Sequence, residues 1–247
     1  MSILQEHIRT AMLVGEEALN RYQKARVAIF GVGGVGGYVC EALARAGIGA
    51  LDLFDHDTVS LSNINRQIIA LHSTVGRNKV DVMAERIADI NPDCRVGAYP
   101  VFYTPACADE FDLSGYDYIV DAIDTVNAKL ELAVRAHALQ VPIIAAMGAG
   151  NKLDPFAFRI ADISKTDTCP LAKVMRRELR ARGITHMKVL FSRELPRKPL
   201  MLDGAEEENR PGKVSPASIS TIPSVAGLMI ASEILKDLAA VGRDDPS

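Results

Sequence analysis

The sequence has no CxxC pair, no long apolar run and no clustered histidines, and each absence removes a class of protein. Its four cysteines, Cys40, Cys94, Cys107 and Cys169, stand far apart, which argues against a Cys₄ zinc site and gives no disulfide framework. No window approaches the roughly 18 uninterrupted apolar residues of a membrane span. The opening MSILQEHIRT lacks the basic-then-apolar layout of a signal peptide. A cytoplasmic protein with no membrane partner is the expectation. His7, His56, His72, His137 and His186 show no metal-ligand spacing, and no internal repeat or low-complexity tract occurs. A net charge of −3 excludes a general polyanion binder.

What is present is a core-forming chain of 247 residues, 48% of them apolar, within the range of a single α/β sheet with additions. The run RVAIFGVGGVGGYVCEALARAG turns from a short apolar strand through a glycine-rich loop straight into a helix. Gly31, Gly33 and Gly36 meet the GxGxxG spacing, which serves a tight turn, close backbone approach to a pyrophosphate, and packing of helix on strand. The helix then points free N–H groups and its positive dipole end at the anion. Alone, the motif favours a dinucleotide cofactor. Gly34, which makes it GxGGxG, and the residues downstream point elsewhere.

Apolar runs alternate with helical patterns in the rhythm of βαβ units. Strands are predicted near Arg26–Phe30, Ala50–Phe54, Arg95–Tyr99, Tyr118–Asp121 and Val141–Ala145, with helices over Gly34–Ala46, Lys79–Ile90 and Val126–Gln140. One or two amphipathic helices precede them in Ser2–Gln23. The expected architecture is Rossmann-like and doubly wound: a mostly parallel sheet with its ligand crevice at the carboxyl ends of the strands. The chain reads as one domain over 1–247, divided into N-terminal helices (1–24), a nucleotide-binding core (25–150) and a substrate-side extension (151–247). In that extension, strands near Ala157–Ile163 and Met187–Phe191 are expected to lengthen the sheet in antiparallel fashion around a basic helix, Pro170–Arg182. Arg193–Ala217, rich in Pro, Glu, Lys and Gly, reads as a mobile loop. A final helix, about Ser224–Ala240, carries Glu233 and Lys236 and suits a core or dimer contact better than a membrane anchor.

The second strand leads into LFDHDTVSLSNINRQ. Asp55, 24 residues after the first loop glycine, sits where a carboxylate accepts hydrogen bonds from a ribose. A dinucleotide reading ends there, but the chain continues with Asp57, Ser62, Asn63, Arg66 and Gln67, then Lys79. Asn63, Arg66 and Lys79 are donors suited to gripping phosphoryl oxygens as pyrophosphate leaves. The fourth strand ends in Asp121-Ala-Ile-Asp124. Asp124 is a candidate ligand for a Mg²⁺ bridging the phosphates, and Asp121 either supports it or caps the next helix. Cys169, in TDTCPLA, has three readings: a thioester-forming nucleophile, a sulfur acceptor, or a packed thiol at a helix start.

With GxGGxG, DxD, SNxxRQ, Lys79 and DxxD in this order, the chain resembles the adenylating enzymes that include ubiquitin-activating enzymes and the activators of thiamine and molybdopterin sulfur carriers. The resemblance runs from about Arg9 to Leu238. It implies ATP as the nucleotide and formation of an acyl-adenylate with loss of pyrophosphate. It further implies Gly33 and Gly34 at the phosphates, Asp55 at the ribose, Arg66 and Lys79 at the triphosphate, and Asp124 at Mg²⁺. Arg9, in IRTAMLVG, matches an arginine that reaches across a homodimer to the partner's ATP.

Within the family, RTAMLVGEEAL, ISKTDTCPLAKVMRRELRARGI and SISTIPSVAGLMIASEILKDL look like the branch that dehydrates threonylcarbamoyladenosine on tRNA. Sulfur-carrier activators generally carry two CxxC pairs, absent here. Some dehydratases carry a cysteine where Pro216-Ala-Ser218 stands in this sequence, so a relay through that position, and any sulfur-transfer partner it would serve, is in doubt. A charge asymmetry agrees with a tRNA partner: Lys165–Lys198 holds ten basic residues against three acidic ones, a balance of +7 against −10 for the rest. A solvated helix face explains the same block. Adenylation of a ubiquitin-like sulfur carrier and a non-catalytic nucleotide-binding role remain the alternative functions.

Overall fold

A computed structural model describes residues 5–200 and 216–239. Two short helices, α1 (Ile8–Val14) and α2 (Glu16–Lys24), precede the sheet. The strands are β1 (Arg26–Phe30), β2 (Ala50–Phe54), β3 (Arg95–Tyr99), β4 (Tyr118–Asp121), β5 (Ile143–Ala146), β6 (Phe158–Asp162) and β7 (Lys188–Ser192). The larger helices are α3 (Gly36–Ala46), α4 (Lys79–Ile90), α5 (Val126–Ala138), α6 (Pro170–Ala181) and α7 (Thr221–Ala239). All seven strands form one sheet in the order β3-β2-β1-β4-β5-β7-β6. Chain order reverses between β1 and β4, the switch point at which such sheets open a ligand crevice.

Strand alternation explains the two-sided core. Val27 and Ile29 of β1, with Leu51 and Leu53 of β2, face α3, α4 and α7, whereas Ala28, Phe30 and Phe54 face α5. Because both faces are covered, β1 and β2 are apolar almost throughout rather than alternating. Register brings Phe30, Phe54 and Tyr99 side by side across three strands, where their rings stack at 4.3 and 4.7 Å between centroids. A third cluster joins α5 to the inner face of α6 through Leu130, Ala172, Met175 and Leu179.

Four expectations need correction. Only β6 runs antiparallel; β7 pairs parallel with β5 and continues the main sheet. The helix after the glycine loop begins at Gly36 instead of Gly34, because residues 34 and 35 are in a turn. β5 starts at Ile143, after Pro142, which has no N–H to give a ladder. The last helix starts at Thr221. Of the loop expected at 193–217, residues 201–215 lie outside the described residues, as does residue 240. No helix among the described residues is long and apolar enough to cross a membrane. Buried Ile222, Ala226, Ile230 and Ile234 turn α7 into the core.

Candidate nucleotide site

The glycine loop is held from two sides. Gly31 has φ +92°, and a Cβ there would lie 2.6 Å from the Ala122 carbonyl oxygen, so the first loop glycine is required both by backbone conformation and by the end of β4. Gly36 abuts the Gly31 carbonyl, which seats the first turn of α3 on the strand. Gly34 faces Pro223 of α7, which a Cβ would meet at 3.0 Å. Gly33 differs: nothing lies within 4 Å of its Cβ position except the Gln67 amide nitrogen at 3.8 Å. That is the face left open to a ligand.

Asp55 leaves the end of β2 beside this loop. Its carboxylate accepts hydrogen bonds from the Val32 N–H at 2.7 Å and the Asp57 N–H at 2.9 Å, which fixes the loop against β2. Lys79, at the start of α4, is nearly buried and pairs with Asp57 at 2.6 Å. Asn63 is buried, and its side chain accepts from the Ser60 N–H in a capping box over a short helical turn. That turn delivers Arg66 and Gln67 to the glycine loop. The Arg66 guanidinium donates to the Ser62 carbonyl at 2.8 Å and to the Asn65 side-chain oxygen at 2.9 Å. No carboxylate neutralises it among the described residues. The Gln67 Oε1 is buried without a hydrogen-bond partner.

Asp121 and Asp124, three residues apart, have opposite environments. Asp124 is exposed and, among the described residues, accepts a single 3.2 Å bond from the Thr125 hydroxyl. Asp121 is fully buried, accepts from Lys129 Nζ at 2.9 Å and from the Ile123 N–H, and leaves its second oxygen without a partner. Burial pushes its carboxyl above the ordinary range, against the pull of the Lys129 ammonium. Asp121 is thus turned into the core and does not cap α5, whose N-cap is Thr125. With Lys129, which also donates to the Ile123 carbonyl, it braces the turn that carries Asp124.

Sequence reasoning missed Lys129, since a lysine within a helix gives no sign of facing inward. It also missed Asn65, which donates to the Ser218 carbonyl at 3.0 Å, and Asn151, which exchanges two 2.7 Å bonds with Ala217. These contacts draw Pro216-Ala-Ser218 across the edge of the site. The spacing of the asparagines along the chain gave no signal of them.

Two nominated residues lie elsewhere. Arg9 is exposed on α1, and neighbouring His7 packs against Gly47 at the far end of α3 from the glycine loop, about 16 Å along that helix. The fold does not bring Arg9 to its own chain's site. Cys169 is 3% exposed, packed with Ala145, Met147 and Met175 at the N-cap of α6. Buried Lys152 lies nearby, its ammonium pKa lowered by burial and partly restored by Cys169 and Glu194.

The open face at Gly33 and the Arg66 guanidinium, unneutralised among the described residues, together fit a triphosphate. For a divalent cation, Asp124 offers a free carboxylate, and one or two carboxylates plus phosphate oxygens suffice for Mg²⁺. Among the described residues, the one group of three or more acidic or imidazole side chains close enough together to share an ion is Asp55, His56 and Asp57, which does not include Asp124.

A Rossmann-like sheet with this loop and these cations defines a nucleotide-binding protein of the adenylating type. The match to the ThiF family model covers residues 4–247, and the chain belongs to that family. It is 45% identical over 244 residues to the tRNA threonylcarbamoyladenosine dehydratase of Bacillus subtilis, covering 96% of this chain and 95% of that one. The crystal structure of the Escherichia coli tRNA N6-threonylcarbamoyladenosine dehydratase in complex with ATP superposes with a TM-score of 0.84 at 35% identity, covering 98% of this chain and 97% of that one. The same enzyme in complex with AMP gives 0.85 at 35% identity, over 97% and 98%.

Proposed function

We propose that this protein is an ATP-dependent dehydratase of threonylcarbamoyladenosine in tRNA, working as a single adenylation domain in the cytoplasm. The observation that carries the ATP part is the glycine loop open at Gly33 beside an Arg66 that no carboxylate neutralises among the described residues. The likeness to dehydratases over almost the whole chain supports the substrate.

In this reading Asp55 holds the ribose, and Gly33 and Gly34 let the backbone approach the phosphates. Arg66 and Lys79 grip the triphosphate oxygens, and Asp57 keeps Lys79 extended toward them. The threonyl carboxylate of the substrate attacks the α-phosphorus, and the bond to pyrophosphate breaks. Arg66 stabilises the charge that develops on the leaving group. The neighbouring carbamoyl nitrogen then attacks the activated carbonyl, losing its proton as AMP leaves with the former carboxylate oxygen. The ring closes, and one water's worth of atoms has left the nucleoside. Proximity drives this second step, so no enzyme nucleophile is required. Asp124, braced by the Asp121–Lys129 pair, would hold Mg²⁺, which supplies neutralisation of phosphate charge when bound.

A homodimer belongs to the same reading. Arg9 lies away from its own glycine loop, so a role for it at a nucleotide requires a second copy. The overall reaction is ligase-like in driving a condensation with ATP.

The test is mass spectrometry of nucleosides from tRNA bearing threonylcarbamoyladenosine, incubated with protein, ATP and Mg²⁺ under a work-up that preserves the ring. A product lighter by one water and formed only with ATP is expected. An unchanged mass with the protein folded would reject the dehydratase reading and turn attention to a sulfur-carrier tail.

A further inference from the structure

The fold sorts the basic block of Lys165–Lys198 into two populations. Lys188 is turned onto Glu233 and Asp237 of α7 at 2.7 and 2.6 Å. Arg193 faces Asp167, and Arg197 faces Glu194. Arg176 bends inward to the carbonyl and hydroxyl of Thr166. The outer face of α6 keeps three of the others. Lys173, Arg177 and Arg180 fall at positions i, i+4 and i+7, one above another, while Ala172, Met175 and Leu179 bury the opposite face. The three span about 10 Å of helix. Arg177 shares Glu178 with Arg182, whereas Lys173 and Arg180 have no ion pair among the described residues.

We propose that this stripe, Lys173–Arg177–Arg180, is the docking surface for the phosphate backbone of an RNA substrate. The inference rests on the tRNA reading above and adds where the molecule is held. An open depression of about 840 Å³ lies along the stripe, bordered by all three cations and by Pro170 and Val174. None of the large apolar side chains exposed among the described residues belongs to α6. A protein partner needs aromatic or apolar anchors at the centre of its contact. A sugar–phosphate backbone is held by cations alone. The direction of the helix also suits RNA. Its first turn stands at the carboxyl edge of the sheet, where Cys169 Sγ lies 3.8 Å from a Cβ position on Gly148, just after β5. The stripe thus starts at the edge that carries the glycine loop and runs away from it. One strand can lie along α6 while a single modified base reaches the nucleotide.

The experiment is filter binding of threonylcarbamoyladenosine-bearing tRNA to the full-length protein between about 50 and 200 mM salt. Wild type is compared with K173E/R180E and, separately, E178Q. The double reversal should weaken binding at least about tenfold at low salt and flatten the slope of log affinity against log salt by about one per contact removed. Its KM for ATP should not move, because neither residue belongs to the nucleotide site. E178Q, which releases Arg177 and Arg182, should tighten binding a few-fold. Unchanged affinity and slope in the double variant, with wild-type binding intact, would overturn the proposal while leaving the dehydratase reading standing. Loss of poly-glutamate binding with tRNA binding retained would reassign the stripe to an acidic protein and overturn it as well. Failure of wild-type protein to bind or convert tRNA would instead bring down the reading on which the stripe depends.

Discussion

Charge in the turn between β4 and α5 and charge on the outer face of α6 are handled in opposite ways. In the turn, Asp121 and Lys129 are both fully buried and locked to each other and to the backbone of Ile123. On α6, Lys173 and Arg180 stand exposed with no ion pair among the described residues. The difference follows from what each charge does. A group that fixes the position of a neighbour gains from low dielectric and a single geometry. A group that attracts a large polyanion needs reach and freedom, and works through water. In this molecule the buried pair is a brace and the bare stripe is a lure.

Breaking the brace should produce the largest effect. K129M leaves an uncompensated carboxylate in the core, which costs about 3–5 kcal/mol. A large fall in the denaturant midpoint is expected. K129M/D121L, which removes both charges, should recover most of the stability. If turnover stays low in the refolded double variant, the pair positions Asp124; if turnover returns, it serves stability alone.

Next in size is Arg66, the exception that combines the two regions: it is set in place by Ser62 and Asn65 yet has no counter-charge among the described residues. R66A should lower kcat for pyrophosphate release by about 10²-fold or more, with an unchanged melting temperature. Retained turnover would remove Arg66 from the site.

Between the brace and the stripe stands Glu41, nearly buried on α3 and bonded to Arg86 at 2.6 Å and Arg45 at 2.8 Å. Burial raises its carboxyl pKa, but hydrogen bonds from both arginines outweigh that and hold it below the ordinary value of 4.5. A depressed carboxyl gives stability that is fully present above the unfolded pKa and lost as pH falls through the lower folded one. Acid unfolding followed by circular dichroism should therefore show a loss of stability below about pH 4. In E41Q that loss should be absent and the stability already lower at neutral pH.

The sheet was legible because its information is local. Arg26–Phe30, Ala50–Phe54, Arg95–Tyr99 and Tyr118–Asp121 are bounded by turn residues and filled with apolar ones, and the strands follow the predicted limits. The glycine loop was equally plain, since Gly36 must clear the Gly31 carbonyl five residues before it. Partners distant in the chain were hidden. Asp121 read as a support for Asp124 or a helix cap, and only the inward turn of Lys129 separates the two. Asn65 reaches Ser218 across 153 positions, a distance no periodicity encodes. The basic block was visible as a sum of charges, but its division into paired and bare residues depends on where α7 brings Glu233 and Asp237.

The smallest effect belongs to Cys169, whose sequence context left a reactive thiol open. Its position extends the comparison to a buried thiol. Sγ lies among apolar side chains beneath the first turn of α6, and only 3% of the residue meets solvent. A thioester would require the substrate's carbonyl carbon to reach that sulfur, and so the parting of α6 from Met147 and Gly148. Ring closure by the carbamoyl group needs no such step. C169A should therefore retain turnover and lose about 1 kcal/mol of stability, the value of a small apolar group removed from a packed site. A mass-spectrometric search for a protein–substrate adduct under single-turnover conditions gives the sharper check. An adduct on Cys169, together with inactive C169A of normal melting temperature, would show that the α6 start opens during catalysis.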